Sequence, residues 1–260
     1  MNLNSSSVLI DTEKCLGCSL CINDCPSGAL YLDNKKAVPR KGGCIECGHC
    51  FAICPANAVS MKDYDISDCD KIGLMTDFNS DDLLLAMKSR RTIRQFKDTP
   101  VEQEKIDKML EAGRYSPTGA NSQDVAYTIL GSKQREIENK CVKLFRNGQK
   151  LAAPLAEIVK NISIDDNFFF KGAPLVIVVS GKDDVNAGLA SSYMELMAEN
   201  MGLGVLYSGF FIICSKINPK IKSMLKLSKG HKVVSCMVIG YPNVEYKRIA
   251  PRKPLKVKYL

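Results

Sequence analysis

Hydrophobic positions change their period twice along this chain. In the first sixty residues they come as short apolar or alternating runs, Val8–Ile10, Ala29–Leu32 and Val59–Met61, which predict three brief strands set between turn-rich loops. Asp63–Asp82 is aspartate-rich and has no sustained period, so it reads as a linker. From Leu83 the pattern lengthens. Leu83–Lys88 predicts a short helix, and Val101–Ala112 a longer one with Ile106, Met109 and Leu110 at helical spacing. Val125–Leu130 reads as a strand, Lys133–Phe145 as a helix and Pro174–Ser180 as a strand buried on both faces. Asp183–Met201 sets Leu189, Tyr193, Leu196, Met197 and Met201 on one face of a long helix that stops at Gly202-Leu203-Gly204. An apolar run Val205–Cys214, a helix opened by Asn218-Pro219 and a strand Val233–Ile239 complete the pattern. Helices and strands mix without strict alternation, which predicts an α+β class with a mostly antiparallel sheet.

At 260 residues, the chain has room for a small domain and one of ordinary size. Its 45% hydrophobic and 25% charged residues are ordinary for a globular protein, and no apolar run approaches the ~20 residues that span a bilayer. Met1–Ile10 is short and polar, without the apolar centre of a secretory leader, so reduced thiols and a cytoplasmic location are expected. The net charge of +8 divides unevenly, +1 over residues 1–62 and +7 over the remainder. Most of the excess reads as solvated lysine, and no nucleic-acid or membrane partner is expected.

Cysteine changes the picture. Eight of the twelve lie in two matching runs, Cys15-x-x-Cys18-x-x-Cys21-x-x-x-Cys25-Pro26 and Cys44-x-x-Cys47-x-x-Cys50-x-x-x-Cys54-Pro55, related by an offset of 29 residues. Three closely spaced thiolates can reach three irons of one cubane cluster, and in this spacing the fourth ligand is the cysteine before proline of the other run. One 4Fe-4S cluster is therefore assigned to Cys15, Cys18, Cys21 and Cys54, the other to Cys44, Cys47, Cys50 and Cys25. A zinc ribbon would leave the third and fourth cysteines of each run unused, and a disulfide framework needs an oxidising compartment. Residues 1–62 resemble bacterial two-cluster ferredoxins. In so small a domain, the clusters would supply much of the stability.

In the second part, Arg90, Arg91 and Arg94 crowd the end of a helix, a weak phosphate-binding signal when taken alone. Taken with Tyr115-Ser116-Pro117-Thr118-Gly119-Ala120-Asn121-Ser122-Gln123, Gly172-Ala173-Pro174, Gly202-Leu203-Gly204, Gly240-Tyr241-Pro242 and Pro251-Arg252-Lys253-Pro254, the segment resembles the nitroreductase family over about residues 81–260. The resemblance implies a nitroreductase-like domain over 83–260, a 63–82 linker and a homodimer with FMN at the subunit interface. It also implies that Arg90, Arg91, Thr92 and Arg94 hold the FMN phosphate and the pyrimidine edge of the ring. Pro117, Thr118, Gly119 and Asn121 would reach the ring from the partner subunit, Ser208 and Gly209 would line it, and Arg252 with Lys253 would bind the phosphate. Two departures stand out. The common Gln-Pro-Trp is Gln123-Asp124-Val125 here, and a frequent glutamate near Ser208 is missing.

Phe168-Phe169-Phe170 reads as ordinary core before it reads as a lid on an aromatic substrate. His49 falls within a cluster loop and His231 in a turn, while Cys69, Cys141, Cys214 and Cys236 are most simply buried small residues. No residue is expected to be catalytic in its own right, because the flavin carries the chemistry. The expected activity is electron flow from the clusters to FMN and on to a nitroaromatic, quinone or activated alkene, with the site working best without oxygen. A reduced ferredoxin or NAD(P)H would be the donor. The rival readings are a nitroreductase reduced directly by NAD(P)H, with its clusters as an outlet or a structural element, and a redox or oxygen sensor.

Overall fold

The computed structural model describes residues 7–66, 69, 79–152 and 162–260. The chain divides into two compact units, one made of Met1–Asp77 with Gly119–Ser122 and the other of Phe78–Thr118 with Gln123–Leu260.

In the first unit, β1 (Val8–Ile10) pairs antiparallel with β4 (Val59–Met61), and β2 (Leu30–Asp33) with β3 (Lys36–Pro39). Asn34 and Lys35 both have positive φ, the geometry of a two-residue hairpin turn that follows the twist of its strands. One-turn helices α1 (Leu20–Asn23) and α2 (His49–Ala52) follow the two cysteine loops. The duplication reaches the backbone. Gly17 and Glu46, Ser19 and Gly48, and Gly28 and Asn57 are left-handed pairs, each separated by the same 29 residues. At Gly17 the need is steric, since a Cβ would lie 2.1 Å from the Lys35 carbonyl oxygen. Val8, Leu30, Ala37, Val59 and Met61 form a small core around the buried Cys21 and Cys50.

The second unit is built on a four-stranded antiparallel sheet in the order β5-β6-β8-β7, comprising β5 (Ala126–Ile129), β6 (Leu175–Gly181), β7 (Gly204–Tyr207) and β8 (Lys232–Gly240). β6 is central and buried on both faces, so its sequence reads as a continuous apolar run rather than an alternation. Each of its fully buried valines contributes roughly 1.5–3 kcal/mol relative to an exposed one. Helices α4 (Gln103–Arg114) and α6 (Asp184–Asn200) pack on the Ile177 and Val179 face. The Val176 and Val178 face is covered by α5 (Gln134–Ala152), α7 (Gly209–Ile217), α8 (Pro219–Met224), Phe169 and Phe170. The α+β class with a mostly antiparallel, helix-flanked sheet holds.

Several boundaries differ from the sequence reading. The strand β3 is not legible, because Lys36-Ala37-Val38-Pro39 follows a turn and ends on proline. The run Val205–Cys214 is a strand and a helix in succession, broken at Ser208, whose N–H donates to the Cys236 carbonyl. α3 (Ser80–Ser89) starts inside the 63–82 stretch, where the Asn79 side chain accepts the Asp81 N–H at 2.8 Å. Most of that stretch lies outside the described residues. Phe169 and Phe170 are core, whereas Cys69 is exposed rather than buried.

Candidate functional site

In the first unit two cavities each gather four cysteines. One is lined by Cys15, Cys18, Cys21 and Cys54, the other by Cys25, Cys44, Cys47 and Cys50, so each loop sends its last cysteine to the other's cavity. The third cysteine of each run, Cys21 or Cys50, lies within a one-turn helix, and the fourth, before proline, lines the other run's cavity. Backbone N–H groups point at the sulfurs: Ala29 at Cys25 (3.2 Å), Ala58 at Cys54 (3.3 Å), Glu46 at Cys44 (3.4 Å) and Ala37 at Cys15 (3.5 Å). The Ala37 N–H holds Cys15 below the ordinary thiol range, while burial pushes Cys50 up to about 11. Four sulfurs around each cavity, with N–H donors behind them, fit a group of cluster size and anionic charge.

In the second unit the arginine segment is pinned at both ends. Thr92 bridges Val205 in parallel and the Ile93 N–H donates to the Val205 carbonyl at 3.1 Å, which seats the segment on the free edge of β7. Further on, Lys97 N–H donates to Tyr241 O at 2.8 Å and Asn243 N–H to Gln95 O at 2.9 Å. Two glycines permit this approach. A Cβ at Gly204 would lie 2.2 Å from Ile93 Cγ1, and one at Gly240 would lie 2.7 Å from Pro174 Cδ and 3.1 Å from Phe96 Cδ1. The Gly-Leu-Gly and Gly-Tyr-Pro motifs thus act as the two clamps of the arginine segment.

Arg90 is held by a partner the sequence reading missed. Its Nη1 donates to Glu195 Oε1 at 2.8 Å, across 105 positions of sequence. Tyr207 Oη donates to the Ser191 carbonyl at 3.0 Å and to Glu195 Oε2 at 3.4 Å. Glu199, one turn further along α6, has a buried Oε1 with no hydrogen-bond partner. Burial pushes Glu195 above the usual carboxylate range against the pull of Arg90, and burial with the Glu195 charge pushes Glu199 up to about 7. Periodicity set another face of α6 inward: Leu189 and Tyr193 are exposed, and the buried face is made of Ala187, Ala190, Ser191, Met194, Glu195 and Ala198, whose small and polar residues carry no apolar period in the sequence.

The other expected residues fall in four places. Ser208 and Gly209 follow Tyr207 at the start of α7, where a Cβ on Gly209 would meet nothing within 4 Å. Thr118 Oγ1 accepts the Gln123 N–H at 3.1 Å, near an exposed Pro117. Gly119 and Asn121 belong to the first unit, where Asn121 Nδ2 donates to the carbonyls of Glu46 (2.9 Å) and Ile45 (3.3 Å). Arg252 and Lys253 are exposed in the irregular stretch 251–260. Asp124, at the departure from Gln-Pro-Trp, accepts from Lys182 N–H (3.2 Å) and Asn186 Nδ2 (3.0 Å), tying the start of β5 to the N-terminus of α6.

The sequence matches the model described as nitroreductase family over residues 87–241, more than half of the chain. The chain belongs to the nitroreductase family. A second match, to a 4Fe-4S dicluster domain, covers residues 7–72 of the chain. The FMN reductase (NAD(P)H) of Bacillus subtilis is 28% identical over 175 residues, 62% of this chain and 66% of that protein. A ferredoxin of Methanothermococcus thermolithotrophicus is 37% identical over 60 residues, 22% of this chain and 100% of its own length. Among solved structures, a nitroreductase with bound FMN from Desulfitobacterium hafniense superposes with a TM-score of 0.55 at 19% identity, over 68% of this chain and 97% of that one. The chain spans just under two thirds of the Bacillus protein. Among the described residues, no helix of the chain is long and apolar enough to cross a membrane.

Proposed function

We propose that this nitroreductase is an FMN-dependent oxidoreductase that takes in electrons through two 4Fe-4S clusters and reduces a small electron-poor acceptor, a nitroaromatic, quinone or activated alkene. The observation that carries this reading is the pair of cross-filled four-cysteine cavities in the same chain as a nitroreductase-family fold. Cys15, Cys18, Cys21 and Cys54 hold one cluster, and Cys44, Cys47, Cys50 and Cys25 the other.

For the flavin, the donor set fits an anionic, planar cofactor. Among the described residues neither Arg91 nor Arg94 enters an ion pair, so both guanidinium groups are available to a phosphate or to the pyrimidine edge of the ring. The open backbone at Gly209 lets a planar ring come close to the start of α7. Arg90 and Thr92 complete one side. Pro117, Thr118, Gly119 and Asn121 of a second subunit, with Arg252 and Lys253 on the phosphate, complete the other. FMN supplies the conversion between one-electron carriers and a two-electron reduction. The protein fixes positive charge where the reduced ring is negative, and it tethers the clusters so that delivery need not await a collision.

A homodimer in the cytoplasm, working best without oxygen, belongs to the same reading. Exposed Leu84, Leu85 and Met87 on α3 and exposed Phe210, Ile213 and Ile217 on α7 support the dimer as unspent apolar surface.

The test is anaerobic flavin bleaching with NADH, NADPH and a reduced ferredoxin in turn, beside a Cys15→Ala, Cys44→Ala variant. Bleaching by reduced ferredoxin alone, lost in the variant, is expected. Equal bleaching by a nicotinamide in both proteins would instead make the direct NAD(P)H route the correct one.

A further inference from the structure

Behind the arginine segment lies a buried set of charges that cofactor binding must disturb. One cation, Arg90, with its side chain 25% exposed, faces Glu195, whose side chain is 10% exposed, at 2.8 Å. Glu199 sits one helical turn away with a buried Oε1 that no group hydrogen-bonds, so the one guanidinium hydrogen-bonds Glu195 and leaves Glu199 without a bonded cation. The surrounding elements bring little else of either sign. From β7, Tyr207 gives its hydroxyl proton to Glu195 and to the Ser191 carbonyl. From β8, Ser235 faces Ser191 at 2.6 Å. From α4, Lys105 is spent on the Met201 carbonyl and the Tyr241 hydroxyl. Beyond Arg90 itself, α3 contributes Lys88 in its last turn, an exposed side chain.

We propose that Glu195 and Glu199 form a proton-storing pair behind Arg90, which takes up a proton from solvent when Arg90 turns its hydrogen bonds to the phosphate of a bound flavin mononucleotide. The inference rests on the reading that Arg90 binds the flavin phosphate. Above about pH 7 both carboxylates are ionised while the guanidinium faces them, and below it Glu199 already holds its proton. Sharing that cation with a dianionic phosphate leaves two carboxylates in a buried space, and a proton on one of them restores the balance. Burial already places Glu199 near neutrality, up to about 7, so the exchange falls within an ordinary pH range. No bond other than the O–H of the carboxyl group forms, and the proton comes from water. By linkage, flavin affinity falls as pH rises, approaching tenfold per pH unit if a full proton is taken up.

The experiment is calorimetric titration of the cluster-loaded, flavin-free full-length protein with FMN at pH 8, in buffers of different ionisation enthalpy. A phosphate ester is already doubly ionised at that pH, so any proton taken up belongs to the protein. The expected result is uptake of a substantial fraction of a proton per FMN, abolished in Glu199→Gln and in Glu195→Gln, with both variants binding FMN at least as tightly as the parent. Unchanged cluster absorbance shows that the variants are folded. Binding that weakens tenfold or more in Arg90→Gln but shows no uptake in the parent would overturn the proton-storing pair alone. Uptake that persists in Glu199→Gln would overturn it as well. Binding indifferent to Arg90→Gln would overturn both this inference and the placement of Arg90 at the phosphate.

Discussion

Gly204 and Ile93 meet so closely that the missing Cβ of the one is filled by the side chain of the other, 2.2 Å from where that Cβ would stand. This contact lets the arginine segment lie against β7, and it sets Gly204 directly behind the residues proposed to bind the cofactor.

Gly204→Ala should therefore act at a distance. Ile93 must move, and overpacking of this kind costs on the order of 1–3 kcal/mol. Because Ile93 lies between Thr92 and Arg94, the shift also displaces the cations. The expected outcome is lower stability in urea unfolding together with at least a tenfold loss of FMN affinity in a fluorescence titration. A variant that loses stability and keeps its FMN affinity would show that the clamp does not position the arginines.

The crossed cavities make a prediction about pairs of cysteines. Cys18 and Cys54 line one cavity and Cys25 lines the other. Cys18→Ser and Cys54→Ser should each lower iron from about eight to about four atoms per chain, and the double variant should do no worse. Cys18→Ser with Cys25→Ser should lose nearly all of it. Iron analysis with EPR of the reduced protein separates this from closed, loop-by-loop sets, for which Cys18→Ser with Cys25→Ser would be the harmless combination.

The cysteine pattern was legible because ligand spacing is local, and the exchange of the fourth cysteine follows from the chemistry of a cubane. β6 was legible because burial on two faces writes a continuous apolar run into the sequence, and α6 was legible as a helix but not in its facing, because its buried side is small and polar, Ala187, Ala190, Ser191 and Glu195 among it, while Leu189 and Tyr193 are exposed. Three further features were not legible. β3 is four residues long and takes its identity from pairing with β2, not from its own propensity. The boundary between β7 and α7 is hard to see because apolar residues run on both sides of Ser208-Gly209, and it is set by the Ser208 N–H bond to the Cys236 carbonyl. The pairing of Arg90 with Glu195 joins residues 105 positions apart, and nothing at either end announces the other. Arginines that looked like a uniform phosphate cluster are thus divided into one that is held and two that form no ion pair among the described residues.

Glu199 should make stability depend on pH in a definite direction. Its folded value of about 7 lies above the ordinary 4.5. Between those values the native state binds more protons than the unfolded chain, so stability falls as pH rises through the window and levels off above it. At about 1.4 kcal/mol per unit the loss is at most roughly 3 kcal/mol. Glu199→Gln should match the parent near pH 5 and exceed it at pH 8 by an amount approaching that figure. Urea unfolding of the flavin-free protein at the two pH values is the check. An equal difference at both would mean that Glu199 is not held protonated in the fold.

The C-terminal residues carry a pattern that one subunit leaves unspent. Leu255, Val257 and Tyr259 alternate with Lys256 and Lys258, the period of a strand with one apolar face, yet Leu255 and Tyr259 are both 92% exposed. Exposure of this kind is costly for an isolated chain and is relieved if the segment lies against a second copy, which would also carry Arg252 and Lys253 towards the other subunit's phosphate site. Deleting residues 255–260, which leaves both cations in place, should shift the protein from dimer to monomer in light scattering at micromolar concentration and weaken FMN binding at least tenfold. Replacing Leu255, Val257 and Tyr259 with serine should have the same effect without shortening the chain. A truncated protein that remains dimeric and binds FMN as the parent does would place the dimer contact elsewhere, on the exposed faces of α3 and α7.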